Sequence, residues 1–330
     1  MSKYIPLLLL VVFGLSCRHN PVAPTTKDPH DFQWSVDTIP HSMLSMWGSS
    51  NNDVYLGGVN VIYHYDGQEW QIVPLTVSQT GPISRLGYFN SIYGFGPKDV
   101  FAVAGWSSLV LHFDGNRWVE QQVPVGQELL TVWGCSPQDV WAGGASGTLL
   151  HYDGIRWSRI VMDPRLQINN INGFESSNVF LLGTRINDPA NYYLNYKVLC
   201  HYDGASWQVL DSMSMSSTQL GTSFGEAKMA TIGGTLYSFG YGIYSLRSGV
   251  WHRDMNTEYC IQSISVPSST NAYAVAQGGY VYHFNGNTWT QLNIPQSGRC
   301  DFLAVWSSDT ETFMAALTSD PSLTIVLHGR

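Results

Sequence analysis

Histidine recurs at one position of a repeated sequence pattern, and a set of histidines can hold a metal ion. The six repeated histidines are His64, His112, His151, His201, His283 and His328. If successive copies form packed β-sheets, equivalent histidines lie about 10 Å apart, whereas zinc requires histidine nitrogens at about 2.0–2.1 Å. One shared ion is therefore excluded. The pattern predicts no metal site and no cofactor, and instead a histidine hydrogen-bonded inside each copy.

Four carboxylates follow the same histidines at a fixed spacing and could form a catalytic set: Asp66, Asp114, Asp153 and Asp203. Each begins an Asp-Gly-x-x-Trp sequence, which is similar to the Asp box of sialidases without the usual residue between Asp and Gly. In that family the motif is a turn remote from the reaction. Because Asp-Gly also supplies the positive φ of a tight turn, we expect these carboxylates to form turns.

The histidines and carboxylates belong to one repeated unit, and such repeats indicate a propeller or a solenoid. The complete unit contains Trp47-Gly48-Ser49-Ser50, Asp53-Val54, Gly57-Gly58 and His64-Tyr65-Asp66-Gly67, and it ends at Trp70. Apolar and polar residues alternate between its Gly, Asp and Ser clusters, which predicts four short strands. The unit recurs with the closing tryptophans Trp118, Trp157, Trp207, Trp251 and Trp289.

The copy that ends at Trp251 is degenerate because it lacks the His-Tyr-Asp sequence. We align its Phe224-Gly225 and its Gly233-Gly234 with the ends of the first and second strands. That alignment assigns the first strand of this copy to residues 220–223.

A seventh copy is divided between the two ends of the chain. It begins at Val305-Trp306-Ser307-Ser308 and stops at His328-Gly329-Arg330, before its last strand, and an isolated strand-like sequence lies at residues 32–36. Residues 34–330 allow about 42 residues for each of seven copies, and four-stranded propeller blades have about 40–45. We therefore predict an all-β fold, a seven-bladed β-propeller of four-stranded antiparallel blades over residues 32–330. Residues 32–38 complete the last blade, so that an N-terminal strand closes the ring and removes exposed edges.

The repeated unit resembles two kinds of known propeller repeat. Its Gly-Gly pair after the second strand, followed by Tyr-Asp and Trp, resembles the kelch repeat with a shorter spacing from Tyr to Trp. The complete unit is closer to repeats of exported bacterial propeller proteins of poorly defined function, and it covers about nine-tenths of the chain. The resemblance implies a propeller fold but no particular activity, because kelch-type propellers include both adaptors and oxidases.

Enzymatic propellers generally work at the central channel, which the first strand of each blade lines. The segments assigned to these strands contain no charged residue and no histidine: residues 42–46, 89–92, 129–132, 168–171, 220–223, 262–265 and 302–305. General acid–base catalysis needs titratable groups, so the sequence favours a non-catalytic binding module. The alternative is a glycan-active hydrolase or lyase that uses Glu128, Arg85 or Asp301 at the rim.

The first residues predict export. An apolar run over residues 5–13 follows Lys3 and is shorter than the ~20 residues that span a bilayer, so residues 1–16 are predicted to be a signal peptide. Gly14-Leu15-Ser16-Cys17 resembles the bacterial lipobox, with Leu15 one place late. The resemblance implies a lipid on Cys17, a tether over residues 17–31 and an anchor in the bacterial outer membrane. Cleavage without a lipid, or a membrane-retained N-terminus, is the alternative.

The composition limits the class of partner. Charged residues make up 12% of the chain, against about 25% in average globular proteins, and the net charge is −8 with no basic cluster. The phosphate backbone of a nucleic acid requires a basic surface. The sequence therefore predicts no nucleic-acid partner and membrane contact only through the N-terminal lipid.

One face of the propeller is predicted to carry the binding site. Strand alternation places the second-to-third turns and the links between blades on the same face, and these segments hold the irregular loops: residues 76–89, 121–128, 185–197, 211–219 and 318–322. Loops on a rigid scaffold commonly carry function, and aromatic side chains suit glycan stacking or protein hot spots. The candidate residues for a polysaccharide or protein partner are Trp106, Tyr192, Tyr193, Tyr196, Arg85 and Tyr88. The alternative is that they pack as local cores under their own loops.

The remaining cysteines leave the disulfide pattern open. Cys135, Cys200, Cys260 and Cys300 permit three full pairings. Cys260 and Cys300 stand at one repeat position, 40 residues apart, and a bridge requires Cα atoms within about 4.4–6.8 Å. The alternative is buried thiols.

Overall fold

The computed structural model describes residues 26–75, 87–106, 108–124, 126–191, 194–215, 224–294, 300–320 and 322–330. These residues form 28 strands, grouped in seven four-stranded antiparallel sheets, and two 3₁₀ helices at Pro29–Asp31 and Gln277–Gly279. No helix in this part of the chain is long and apolar enough to cross a membrane.

Each sheet is one blade, and the strands are numbered in chain order. Blade 1 contains β2 (Met43–Ser50), β3 (Asp53–Gly58), β4 (Ile62–Tyr65) and β5 (Trp70–Ile72). Blade 2 contains β6 (Phe89–Gly96), β7 (Asp99–Ala104), β8 (Leu109–Phe113) and β9 (Trp118–Gln121). Blade 3 contains β10 (Leu129–Ser136), β11 (Asp139–Gly144), β12 (Thr148–Tyr152) and β13 (Trp157–Val161). Blade 4 contains β14 (Leu166–Glu175), β15 (Asn178–Arg185), β16 (Tyr196–Tyr202) and β17 (Trp207–Ser214).

The remaining blades follow the same plan. Blade 5 contains β18 (Lys228–Ile232), β19 (Thr235–Gly240), β20 (Gly242–Arg247) and β21 (Val250–Met255). Blade 6 contains β22 (Ile261–Ser268), β23 (Asn271–Ala276), β24 (Val281–Phe284) and β25 (Trp289–Leu292). Blade 7 contains β26 (Asp301–Ser307), β27 (Thr312–Leu317), β28 (Thr324–Gly329) and β1 (Trp34–Ile39).

The two ends of the chain close the ring in blade 7. β1 pairs antiparallel with β28, from Trp34 opposite Gly329 to Ile39 opposite Thr324. The inner strand β26 also contacts the inner strand β2 of blade 1. The predicted all-β propeller, with seven four-stranded blades and an N-terminal closing strand, is therefore confirmed.

Blade 5 departs from the alignment that the sequence suggested. Gly233 and Gly234 form the two-residue turn between β18 and β19, with φ of 56° and 79°, and do not end the second strand. Two positive φ values are typical of a type I′ hairpin turn, which favours Gly-Gly. The inner strand of this blade is therefore Lys228–Ile232, and its assignment to residues 220–223 was wrong.

The repeated tryptophan joins neighbouring blades. Trp157 closes blade 3 and is 5% exposed. Its ring lies edge-on to Phe101 of blade 2, with centroids 6.2 Å apart, and 5.2 Å from Tyr152. The same contact with the preceding blade occurs in the pairs Trp70–Phe313, Trp118–Tyr55, Trp207–Trp141 and Trp289–Phe239. The tryptophan is repeated because it fills the apolar interface between two sheets.

Each repeated histidine is bound within its own blade. His64 Nε2 donates to Asp53 Oδ1 at 2.6 Å, and its ring stacks on Tyr55 with centroids 4.5 Å apart. The equivalent hydrogen bonds join His112–Asp99, His151–Asp139, His201–Asn178, His283–Asn271 and His328–Glu311. The prediction of a histidine hydrogen-bonded inside its own copy is confirmed.

The repeated aspartates form the turns into the last strands. Asp66 Oδ1 accepts hydrogen bonds from the N–H groups of Gln68 and Glu69, at 2.9 and 3.0 Å, and Gly67 has a φ of 95°. These donors stabilise the ionised carboxylate and hold the pKa of Asp66 below its ordinary value. Asp114, Asp153 and Asp203 accept equivalent pairs of bonds. The expected turns are thus present.

His283 should make the fold sensitive to acid. It is 8% exposed and donates to the neutral amide oxygen of Asn271 at 2.9 Å, and burial lowers its pKa to about 4 from 6.5. Between pH 6.5 and about pH 4 this histidine is protonated in the unfolded chain and neutral in the folded chain. The free energy of unfolding should therefore fall as the pH drops from 7 to 4, by up to about 3 kcal/mol from this residue.

Denaturant unfolding of the native chain and of His283→Gln, at pH 7 and at pH 4, checks this prediction. Gln keeps a donor for Asn271 and cannot take up a proton in this range. The variant should lose less stability on acidification than the native chain. Parallel stability profiles for the two proteins would contradict the assignment.

Cys260 and Cys300 do not form a disulfide. The Cys260 thiol instead donates to the carbonyl oxygen of Ile261 at 3.8 Å, and burial raises its pKa to about 11. The structure therefore shows two thiols at these positions and no disulfide.

Candidate binding face and channel mouth

The candidate binding face is the side of the ring that carries the second-to-third turns and the links between blades. It holds Trp106 after β7, Tyr88 before β6 and Tyr196 at the start of β16. Arg85, Tyr192, Tyr193 and the predicted lipidation site Cys17 lie outside the residues that the structure describes.

Trp106 is held on an unfavourable backbone. Its φ is 68°, and its side chain is 74% exposed. The same turn in other blades places Asn60, Ser146 and Gly278 at φ values of 60°, 54° and 68°. Asn and Gly tolerate this left-handed region, whereas a bulky residue pays on the order of 1 kcal/mol. No packing of the repeated fold requires a tryptophan here, so this position is a candidate for binding.

Tyr88 and Trp106 form an aromatic pair on this face. Their ring centroids are 4.4 Å apart at 79°, an edge-to-face contact. The backbone of Tyr88 is fixed by an antiparallel bridge to Val59 and by the Gly105 N–H, which donates to its carbonyl oxygen at 2.9 Å. Phe89, which stands beside Tyr88 in sequence, is fully buried in the interface with blade 1 and takes no part in the aromatic pair.

Tyr196 lies apart from this pair. It is 41% exposed, and it lines a perimeter groove of about 750 Å³ between blades 3 and 4. Val161 and Val209 of the two outer strands also line that groove and are 87% and 67% exposed. Among the described candidate residues, Trp106 and Tyr88 are in contact with each other, and Tyr196 lies in a different groove.

A cavity of about 820 Å³ lies along the axis of the ring, and all seven inner strands line it. Inner strands of neighbouring blades belong to different sheets, so polar side chains bridge them instead of ladder hydrogen bonds. Ser45 Oγ donates to the Phe89 carbonyl oxygen at 2.7 Å, and Asn170 Oδ1 accepts from the Met229 N–H at 2.9 Å. The hydroxyl and amide groups of the channel wall thus satisfy buried backbone groups.

The channel contains a charged residue, which corrects the prediction of an uncharged wall. Lys228 is the first residue of the inner strand β18 and lines the cavity. Protein surrounds its half-buried side chain, and this burial lowers its pKa from the ordinary lysine value. The sequence missed Lys228 because the degenerate fifth copy offered no His-Tyr-Asp to fix the register of its strands.

Both carboxylates suggested for a rim catalytic site contact loops. Asp301 Oδ1 accepts from the Gly278 N–H at 2.9 Å, so it holds the second-to-third turn of blade 6. Glu128 packs against Gly105, where an added Cβ would lie 2.6 Å from Glu128 Oε1. In the described part of the chain, no group of three His, Cys, Asp or Glu side chains is placed to hold a metal ion.

Solved structures of low sequence identity share this arrangement of blades. The structure described as "YCF48 bound to D1 peptide" has a TM-score of 0.65 and 15% identity, and the match covers 92% of this chain and 97% of that chain. The chain is similar in fold to YCF48. A second structure, "YCF48 from Cyanidioschyzon merolae", has a TM-score of 0.60 and 13% identity over 89% of this chain and 98% of that one. Identities this low show the fold alone.

No family model matches the chain, and no curated protein matches it. The kelch-type and lipoprotein resemblances therefore remain sequence predictions, while the likeness to the YCF48 structures concerns the seven-bladed propeller. The site geometry consists of an exposed tryptophan in contact with a half-buried tyrosine, a polar channel and one channel lysine. This set supplies surfaces for binding.

Proposed function

We propose that this protein is a non-catalytic binding module that recognises an extended peptide segment of a protein partner on the candidate binding face. Trp106 and Tyr88 form the aromatic anchor of the site. The observation that carries the proposal is a tryptophan, 74% exposed, on a left-handed turn where other blades have Asn, Ser and Gly. Strained residues that the core does not require are concentrated at functional sites.

Two further observations support a peptide as the ligand. Exposed tryptophan and tyrosine side chains are enriched at the energetic centres of protein interfaces, where they offer a large rigid apolar surface and a polar atom. One YCF48 structure of the same fold is described as bound to a D1 peptide. We also propose, from the sequence pattern alone, that the chain is exported and anchored in the cell envelope through a lipid on Cys17.

Binding of the purified protein to peptide and glycan arrays tests the proposal. We expect peptide ligands, and we expect Trp106→Ala to weaken their binding by about 1–4 kcal/mol, which is roughly fivefold to nearly a thousandfold. Ile155→Ala is the matched control, because Ile155 is 87% exposed in a third-to-fourth turn on the opposite face. Its affinity should stay unchanged.

Each other outcome points to a different role. Glycan binding without peptide binding would replace the proposal with polysaccharide recognition, and cleavage of a glycan would replace it with the hydrolase or lyase alternative. Peptide binding that Trp106→Ala leaves intact would show that the site lies elsewhere.

A further inference from the structure

The mouth of the central channel opens on the candidate binding face. It is a cavity of about 370 Å³. Its wall is chemically uneven around the ring. Blades 7, 1 and 3 contribute Leu303, Leu44 and Leu130, while the other blades contribute mostly amides and lysines: Asn90, Gln167, Asn169, Lys197, Lys228 and Gln262. The mouth therefore has an apolar side and a polar, cationic side.

Lys228 has no carboxylate partner in the described part of this mouth. Among the described residues, its Nζ has no hydrogen-bond or ion-pair partner. Among the described residues that line the channel, the acidic one is Asp309. It lies in the turn after β26, at the end of the channel opposite to Lys228. A half-buried charge without a partner is costly for a fold, and a ligand of opposite charge would offset that cost.

The nearest groups do not neutralise Lys228. Lys197 Nζ donates to Thr184 Oγ1 at 3.0 Å and adds a second positive charge. Glu226 is 5% exposed, and its Oε1 accepts from the Tyr241 N–H at 3.2 Å. No ion pair joins Glu226 to either lysine within the described chain, and burial raises the pKa of this carboxyl group. Two lysines and no described carboxylate line the mouth.

We propose that the channel mouth is a binding site for a carboxylate that carries a small apolar group. The carboxylate pairs with Lys228, the amides of Asn169 and Gln262 donate hydrogen bonds to it, and the apolar group packs against Leu44 and Leu303. Because Lys197 Nζ is bound to Thr184 Oγ1, Lys228 offers one unpaired ammonium group flanked by amides, which fits a monoanion better than the more highly charged phosphate. This site goes beyond the aromatic anchor and does not depend on it.

Calorimetric titration of the purified protein with N-acetyl-L-leucine tests the site. N-acetyl-L-leucinamide is the matched neutral probe, because it replaces one carboxylate oxygen by an amide nitrogen. Because the amide cannot form the charge-assisted hydrogen bond with Lys228, we expect it to bind roughly tenfold to a hundredfold more weakly than the acid. D-glucuronate and inorganic phosphate are parallel probes. A preference for glucuronate would assign the carboxylate to an acidic sugar, and a preference for N-acetyl-L-leucine to the end of a peptide.

Three lysine variants identify the group responsible. Lys228→Met keeps the length of the side chain, removes the charge and should weaken N-acetyl-L-leucine by roughly tenfold or more. Lys228→Arg should keep most of the affinity. Lys98→Met is the control, because Lys98 is exposed in the first-to-second turn of blade 2, on the opposite face. An unchanged melting temperature of Lys228→Met shows that the loss does not arise from unfolding.

The pH dependence gives an independent measurement. The carboxylate needs a protonated lysine, and the lowered pKa of Lys228 means that this proton is lost before that of an ordinary lysine. The titratable groups near it are Lys197, whose pKa burial also lowers, Glu226, whose pKa burial raises, and Cys260, whose thiol pKa burial raises to about 11. Affinity for N-acetyl-L-leucine should therefore decline as the pH rises, and the decline should begin at a lower pH than for a surface lysine.

The outcomes separate this site from the aromatic anchor. Equal binding of acid and amide, tighter binding of phosphate, or full affinity in Lys228→Met would overturn the carboxylate site. Trp106→Ala should leave N-acetyl-L-leucine binding unchanged. Loss of peptide binding in Trp106→Ala with an intact carboxylate site, or the reverse, would tell which of the two proposals fails.

Discussion

Deleting residues 32–39 should destabilise the protein by at least about 5 kcal/mol, which is comparable to the whole stability of many domains. The deletion removes β1 and with it two buried side chains, Phe32 at 5% and Ile39 at 3% exposure. Truncation of one such side chain to alanine commonly costs 2–5 kcal/mol. It also removes six paired positions along β28. Guanidinium unfolding followed by tryptophan fluorescence measures the loss.

The shortened chain should also associate. Without β1, the backbone groups of β28 that pair with it become an exposed edge, and such edges pair with other chains. Sedimentation velocity should show oligomers for the deletion. A chain that lacks only residues 1–25 is the control, because it keeps β1, and it should stay monodisperse and stable. Equal stability of the two shortened chains would show that the ring does not depend on the closing strand.

The repeat made the blade count predictable because each repeated residue performs one packing task in every blade. The closing tryptophan fills the interface with the preceding blade, and the histidine binds the residue at the start of the second strand. The seventh copy lacks its last strand at the C-terminal end of the chain, and a strand without a partner lies at the N-terminal end. Pairing these two segments completes the seventh blade and closes the ring. The register of blade 5 was not predictable in this way, because its turn uses Gly233-Gly234 without the histidine.

The candidate site was predicted in part. Trp106 could be found in the sequence because the equivalent turn residues in other copies are small or polar. In the structure its side chain is exposed and its backbone has a positive φ. Lys228 could not be found in the sequence, because its place in the channel depends on the strand register of blade 5, which lacks the His-Tyr-Asp sequence. The sequence predicts that Tyr196 and Trp106 share a face, but Tyr196 belongs to blade 4 and Trp106 to blade 2, and Tyr196 lines a separate groove.

The two kinds of tryptophan should respond differently to truncation. Trp157→Ala removes a ring that is 5% exposed between Phe101 and Tyr152, and we expect a loss of about 3–5 kcal/mol in the free energy of unfolding. Trp106→Gly removes a ring that is 74% exposed and gives the left-handed position the residue that best tolerates it.

For Trp106→Gly, relief of backbone strain and loss of the contact with Tyr88 are each on the order of 1 kcal/mol and act in opposite directions. The free energy of unfolding of this variant should therefore stay within about 1 kcal/mol of the native value. Urea unfolding of both variants at pH 7, with the slope of the transition compared as well as its midpoint, makes the measurement. If Trp106→Gly lost as much stability as Trp157→Ala, the turn after β7 would be a local core, and the strain at Trp106 would serve packing instead of recognition.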